Sequence, residues 1–192
     1  TGSVPSTIDK AYPFVKNGTI VLGFPDILFQ PADAFSTLLY KQQFTGADLV
    51  LGLFRAVNPE KVDMVEFNDK GAIKDIIVKP DHTILTYTWI IAVWTSRFTD
   101  YMHRYLAQYN KTLVQNKKSK GGERESAEIH RELDITGELF IGKVFRDAIQ
   151  SGLQTSYVIF EKGSFLDIGT PDDLMKVNNI DWMKQFNMRI SV

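Results

Sequence analysis

Two aspartates interrupt apolar runs at places where a carboxylate needs a reason to be. Asp26 follows the first run of TIVLGFPDILF, past Gly23 and Pro25, and Asp167 stands near the end of SFLDIG. A carboxylate set into an apolar strand is costly unless it meets a cation or hydrogen-bond donors. Open α/β sheets take their ligands at the carboxyl ends of strands, so two such groups can meet there. The chain contains no cysteine. A shared metal would therefore have oxygen ligands, which suits Mg²⁺ held beside a phosphate. Strand-ending aspartates also cap turns, and that alternative stays open.

The neighbouring acids read differently. Thr170 and Asp173 have the spacing of a capping box, and Pro171 takes the first helical position between them. Asp172 and Asp173 then face the positive end of a helix and need no further role. The three histidines carry less: His82 follows Pro80 in a turn, His103 lies on the polar side of a helix, and His130 lies in a polar stretch.

The elements that must position these aspartates follow from periodicity. The segment 6–18 reads as a short helix or turn with Ser6 at its N-cap. TIVLG (19–23) and ADLVLGLFRA (47–56) are continuous apolar runs, as expected of strands buried on both faces. Between them, 31–44 has helical spacing and Gly46 as a stop, which predicts a right-handed parallel crossover. Two strand-like runs flanking Asn68-Asp69-Lys70-Gly71 predict a hairpin, and 83–94 is a long β-rich run. Phe98, Tyr101, Met102, Tyr105, Leu106 and Tyr109 form one stripe of a helix, a core-packing pattern. The segment 137–152 reads as a helix with Phe140, Val144, Phe145, Ala148 and Ile149 inward and Gly152 at its end. A second hairpin is predicted over 155–169, then a final helix. The polar stretch 115–132 reads as a mobile surface loop.

Composition sets the frame. With 192 residues, 44% of them hydrophobic and 23% charged, the chain is expected to form one α/β domain over 1–192. The expected fold is a Rossmann-like mixed, mainly parallel sheet flanked by helices, with β-hairpin additions. A net charge of -1 argues neither for nucleic acid nor for an anionic membrane, and neither is expected as a partner. No apolar run approaches the roughly 20 residues of a membrane span. A cytoplasmic protein is expected, with homo-oligomer assembly open. The chain begins TGSVPSTIDKAY without an initiator Met, as an internal portion of a longer chain would.

The succession VLGFPDILF, MVEF with its hairpin and the following Val78-Lys79-Pro80, GEL, and LDIGTPDDL resembles the sugar-1-phosphate nucleotidylyltransferases, glucose-1-phosphate thymidylyltransferases in particular. The likeness runs from about Gly2 onward, and LDIGTPDDL is its most specific piece. It implies transfer of a nucleoside monophosphate from a nucleoside triphosphate to a sugar 1-phosphate, with release of pyrophosphate. It places the two Mg²⁺-holding aspartates of that family on Asp26 and Asp167, and the lysine that meets the sugar phosphate on Lys79. Gly23 and Glu138 fall on substrate-binding positions. The family's opening strand and its G-x-G-T-R phosphate loop have no counterpart in this chain, so the nucleotide-binding portion is expected to come from elsewhere.

The departures cluster on the sugar side. Val62-Asp63 stands for the family's Tyr-Gly, Val78 for the glutamate before the lysine, Trp89 for a glycine, and Phe140-Ile141-Gly142-Lys143 for Glu-Ile-Thr-Asp. These changes imply altered sugar specificity. They also leave open a non-catalytic sugar-nucleotide-binding or regulatory domain of the same fold.

Overall fold

The computed structural model describes residues 2–118 and 139–171, with Asp173 and Met175; of 113–118 it describes the backbone alone. Two short helices, α1 (Val4–Asp9) and α2 (Tyr12–Val15), precede strands β1 (Ile20–Leu22) and β2 (Ile27–Gln30). Helix α3 (Ala34–Thr45), β3 (Leu49–Arg55), a 3-10 turn (Pro59–Lys61), β4 (Met64–Phe67), β5 (Ile73–Ile77) and β6 (Tyr87–Trp94) follow. Helices α4 (Ser96–Lys118) and α5 (Ile141–Gln150), then β7 (Thr155–Ile159) and β8 (Ser164–Asp167), complete the described order. The cap of α1 is Ser3, whose hydroxyl accepts the Ser6 N–H, and not Ser6 itself. Pro5, early in that helix, suits the earlier start, because a missing N–H costs nothing in a first turn.

The main sheet has the order β5-β4-β6-β3-β7, with β1 also on β6. Strands β1, β3, β4 and β7 run one way and β5 and β6 the other, so the sheet is mixed. Most adjacent pairs are nevertheless antiparallel, and β3 with β7 is the parallel one. The predicted crossover does join parallel strands, β1 and β3, but β6 lies between them. The predicted hairpin over 155–169 does not form. Strand β7 pairs with β3, while β8 leaves the main sheet and pairs antiparallel with β2. Both halves of that segment find apolar partners far away in sequence, which a turn signal between them cannot reveal.

Residue alternation on β3 builds two cores. Leu49, Leu51 and Leu53 face one side with α4 and α5, while Val50 and Phe54 face the other with α3. On β6, Trp89, Ala92 and Trp94 join the first cluster, and Ile90, Ile91 and Val93 the second. Two consecutive residues, Ile90 and Ile91, thus share a face. The register shift opposite Gly52/Leu53 makes this possible: a bulge gives one strand an extra residue without inverting the rest. Strand β1 is expected to be buried on both faces, but among the described residues it pairs with β6 alone and Val21 is 42% exposed.

Helix α3 reads as expected. Gly46 ends α3 in the left-handed region, φ 65°, where a glycine avoids the Cβ clash. The aromatic stripe of α4 is core packing: Phe98, Met102 and Leu106 are buried, and the Tyr101 hydroxyl donates to Asp147 of α5. The inward face of α5 is Ile141, Gly142, Val144, Phe145 and Ala148; Phe140 precedes the helix at its cap position. The predicted loop lies mostly outside the described residues, and its first residues, up to Lys118, continue α4.

Candidate functional site

Strand β6 carries β1 and β4 on the same edge, one beyond the other. Leu22 pairs with Ala92 and Met64 with Thr88, which leaves a gap beside Trp89, Ile90 and Ile91. The chain leaves β1 through Gly23-Phe24 and enters β4 through Val62-Asp63, both at this gap. A crevice opens where segments part in this way. A cavity of about 210 Å³ lies there, lined by Thr88, Trp89 and Ile90 of β6, by Phe24, Lys61, Val62, Asp63 and Lys79, and by Leu139, Phe140 and Ile141 at the start of α5. Phe165 and Asp167 of β8 reach it as well.

The two predicted aspartates come together. Strand β2 starts directly after Asp26 and β8 ends on Asp167, and the antiparallel register sets Ile27 opposite Asp167. The Ile168 N–H donates to the Asp26 carbonyl at 2.8 Å, which closes the ladder around both residues. A side chain on Gly169 would meet Asp26 Oδ2 at 3.0 Å and Asp167 Oδ1 at 3.1 Å, so the two carboxylates flank one point. Both residues are exposed. Asp167 Oδ1 accepts the Gly169 N–H at 2.8 Å, one of the donors such a carboxylate needs. Two neighbouring carboxylates with free lone pairs match what Mg²⁺ takes from a protein when phosphates and water fill its other positions. Among the described residues no group of three or more His, Asp or Glu side chains converges, so a closed, all-protein metal cage is not on offer there.

Lys79 lies on the same cavity as Asp167. Its backbone has φ 38°, an uncommon conformation for a residue with a side chain. Its Nζ stands 4.2 Å from the centre of the Phe140 ring, a cation–π contact. Gly23 is exposed, and a Cβ there would lie 2.8 Å from Phe35 Cζ. Glu138 falls outside the described residues, as does Asp172. Asp173 behaves as predicted: its N–H donates to Thr170 Oγ1 at 3.1 Å, and the Thr170 hydroxyl donates back at 2.7 Å.

Asp63 is the residue whose importance the aspartate pattern missed. It is partly buried, and burial is the main reason its carboxyl is pushed up to about 6. The Trp89 indole N–H, donating at 3.3 Å, and Lys79, through charge and its backbone N–H, pull the other way. Gly142 makes room for this carboxylate, since a Cβ there would lie 2.1 Å from Asp63 Oδ2. The departures noted in the sequence at positions 63, 89 and 142 are thus one cluster. Its sequence signal was an acid directly before a buried strand, which also fits a surface turn.

No family model matches the sequence, and no curated protein matches it. Solved structures do. A Bacillus anthracis chain assigned as a glucose-1-phosphate thymidylyltransferase, in complex with a sucrose, is 20% identical with a TM-score of 0.62 and covers 97% of this chain. The inositol-1-phosphate CTP transferase of T. maritima is 17% identical with a TM-score of 0.61 over the same 97%. A UDP-glucose pyrophosphorylase complexed with UDP-glucose is 13% identical with a TM-score of 0.65 over 95%. This chain spans 65%, 62% and 63% of those three chains. Among the described residues no helix is long and apolar enough to cross a membrane. The chain therefore has the mixed α/β fold of the sugar-1-phosphate nucleotidylyltransferases, over somewhat less than two thirds of their length.

Proposed function

We propose that this chain holds the acceptor and metal side of a nucleotidyltransferase that moves a nucleoside monophosphate from a nucleoside triphosphate to a sugar 1-phosphate or related phosphate ester, releasing pyrophosphate. The observation that carries the reading is the pairing of Asp26 with Asp167 around Gly169, with Asp167 and Lys79 on one cavity. Asp26 and Asp167 would hold Mg²⁺, which when bound neutralises phosphate charge and orients the reacting groups. Lys79 supplies the complementary positive charge to the acceptor phosphate and restrains its orientation. An acceptor phosphate oxygen attacks the α-phosphorus in line, the bond to the bridging oxygen breaks, and pyrophosphate leaves. The protein's contribution is positioning and electrostatics, since no covalent intermediate is required. The activities named for the structurally similar enzymes fit this reaction class.

The test is pyrophosphate release by the full-length protein, with a panel of nucleoside triphosphates and phosphate esters, in Mg²⁺ and in excess chelator. Release that needs both the ester and the metal is expected; none with any pair overturns the reading. A second reading, a binding domain without turnover, draws on the Trp89–Asp63 contact in the cavity wall. It predicts calorimetric binding of ester or nucleotide with no pyrophosphate.

A further inference from the structure

Two of the shielded carboxylates among the described residues have a guanidinium at hand. Asp48 meets Arg97 at 3.2 Å and Asp75 meets Arg146 at 2.8 Å, while Asp9 is bonded to the His103 ring and Asp100 and Asp147 accept from the Tyr12 and Tyr101 hydroxyls. Asp63 has neither a guanidinium nor a hydroxyl partner among the described residues. The lysines that influence it, Lys79 and Lys143, act through their fields, and among the described residues neither forms an ion pair with it. The Lys79 ammonium is instead placed over Phe140. The partners Asp63 does have are N–H donors, the Trp89 indole and the Lys79 backbone. An ionised carboxylate has room for about four hydrogen bonds, so acceptor capacity remains.

The surroundings of this carboxylate suit a cation better than a ring of hydroxyl groups. Phe24, Trp89, Phe140 and Phe165 line the cavity, and aromatic faces attract ammonium groups. Phe140 already does so with Lys79. Thr88 is the one hydroxyl side chain on the described wall, and its hydroxyl is turned to the Trp89 carbonyl at 3.3 Å. A neutral polyol would leave many of its hydroxyl groups without partners against such a wall, which is costly. The wall carries both signs of charge: Lys61 and Lys79 for a phosphate, and Asp63, with Asp167, for the opposite sign.

Building on the proposed transfer reaction, we infer that Asp63 is a specificity determinant which selects phosphate esters carrying an ammonium group, so that the acceptor is an amino-sugar or amino-alcohol phosphate and not a neutral hexose phosphate.

The experiment is equilibrium binding to the full-length protein by calorimetry at neutral pH, without nucleotide. The probes are glucosamine 1-phosphate, glucose 1-phosphate, 2-aminoethyl phosphate and inorganic phosphate. The matched hexose pair differs in an ammonium against a hydroxyl. The wild type is expected to bind at least one of the amines about tenfold or more tightly than its counterpart without the ammonium, glucose 1-phosphate or inorganic phosphate respectively, as a charge-assisted hydrogen bond would give. Whichever amine shows the preference names the source, amino sugar or amino alcohol. In Asp63→Asn the preference should fall to about onefold while inorganic phosphate binds as before. Equal binding of the amine and its counterpart, no amine binding, or a preference that survives Asp63→Asn overturns the inference. The wild-type comparison decides by itself if the variant does not fold. Because no triphosphate is present, failure of pyrophosphate release would count against the transfer reaction without touching this result.

Discussion

Asp63 gives a prediction that needs no knowledge of the substrate. In the folded chain its carboxyl is raised from 3.8 to about 6, chiefly because the ionised form is poorly solvated there. One pKa unit corresponds to about 1.4 kcal/mol, so ionising this group in place costs roughly 3 kcal/mol of folding stability. The sign follows from linkage. Below about pH 3 the group is protonated in folded and unfolded chains alike, and the favourable term is fully present. As pH rises, the unfolded chain loses this proton first, the folded chain holds it longer, and stability falls until the folded group ionises near 6. Asp63→Asn cannot ionise and escapes that loss. It does lose an acceptor for one of the two N–H donors, the Trp89 indole or the Lys79 backbone, but that cost does not vary with pH.

The measurement is urea unfolding of both proteins from about pH 3 to pH 8. All other titrations cancel in the difference. The wild type should lose roughly 3 kcal/mol relative to Asp63→Asn across that window, mostly between about pH 4 and 6. A difference flat to within about 0.5 kcal/mol, or a wild type that gains on the variant with rising pH, would show that Asp63 is not held in a desolvated place.

Gly142→Ala improves intrinsic helix propensity by about 1 kcal/mol, yet its Cβ would lie 2.1 Å from Asp63 Oδ2. We expect a net loss of about 1–3 kcal/mol by thermal denaturation, largely recovered when Asp63→Ala is added; additive losses would refute the contact. Gly169→Ala pushes against both Asp26 and Asp167. Mg²⁺ affinity by calorimetry should weaken severalfold, while stability without metal changes by less than about 1 kcal/mol because both carboxylates can swing into solvent. Unchanged metal affinity would count against a shared site. Leu51→Ala, at a fully buried position of the sheet centre, should cost about 2–5 kcal/mol in denaturant unfolding, and a loss under about 1 kcal/mol would contradict the packing.

What was legible in the sequence is what local chemistry decides. The stop of α3 at Gly46, the β4–β5 hairpin and the Thr170–Asp173 capping box all form as their residues suggest. Distant partners were not legible. Nothing within 155–169 says that Leu49 takes Thr155 as its parallel neighbour or that β8 turns away to β2. The apolar run of β1 read as a buried strand, because hydrophobicity alone does not distinguish an edge from a centre. At the site, Asp26 and Asp167 could be nominated because each interrupts an apolar run. Their approach around Gly169 depends on the β2–β8 register. Asp63 and Trp89 were visible as substitutions in a familiar pattern, but their hydrogen bond and the space left by Gly142 exist in three dimensions alone.

The most direct test of the account is pyrophosphate release by the wild type, Asp26→Asn, Asp167→Asn and the double variant, each first shown to be folded by its melting curve. Because the two carboxylates are taken to hold one ion, each single change should reduce the rate by about a hundredfold or more, and the double change should be hardly worse than either. Singles that retain wild-type rates, or losses that multiply in the double variant, would contradict a shared metal site at Asp26 and Asp167.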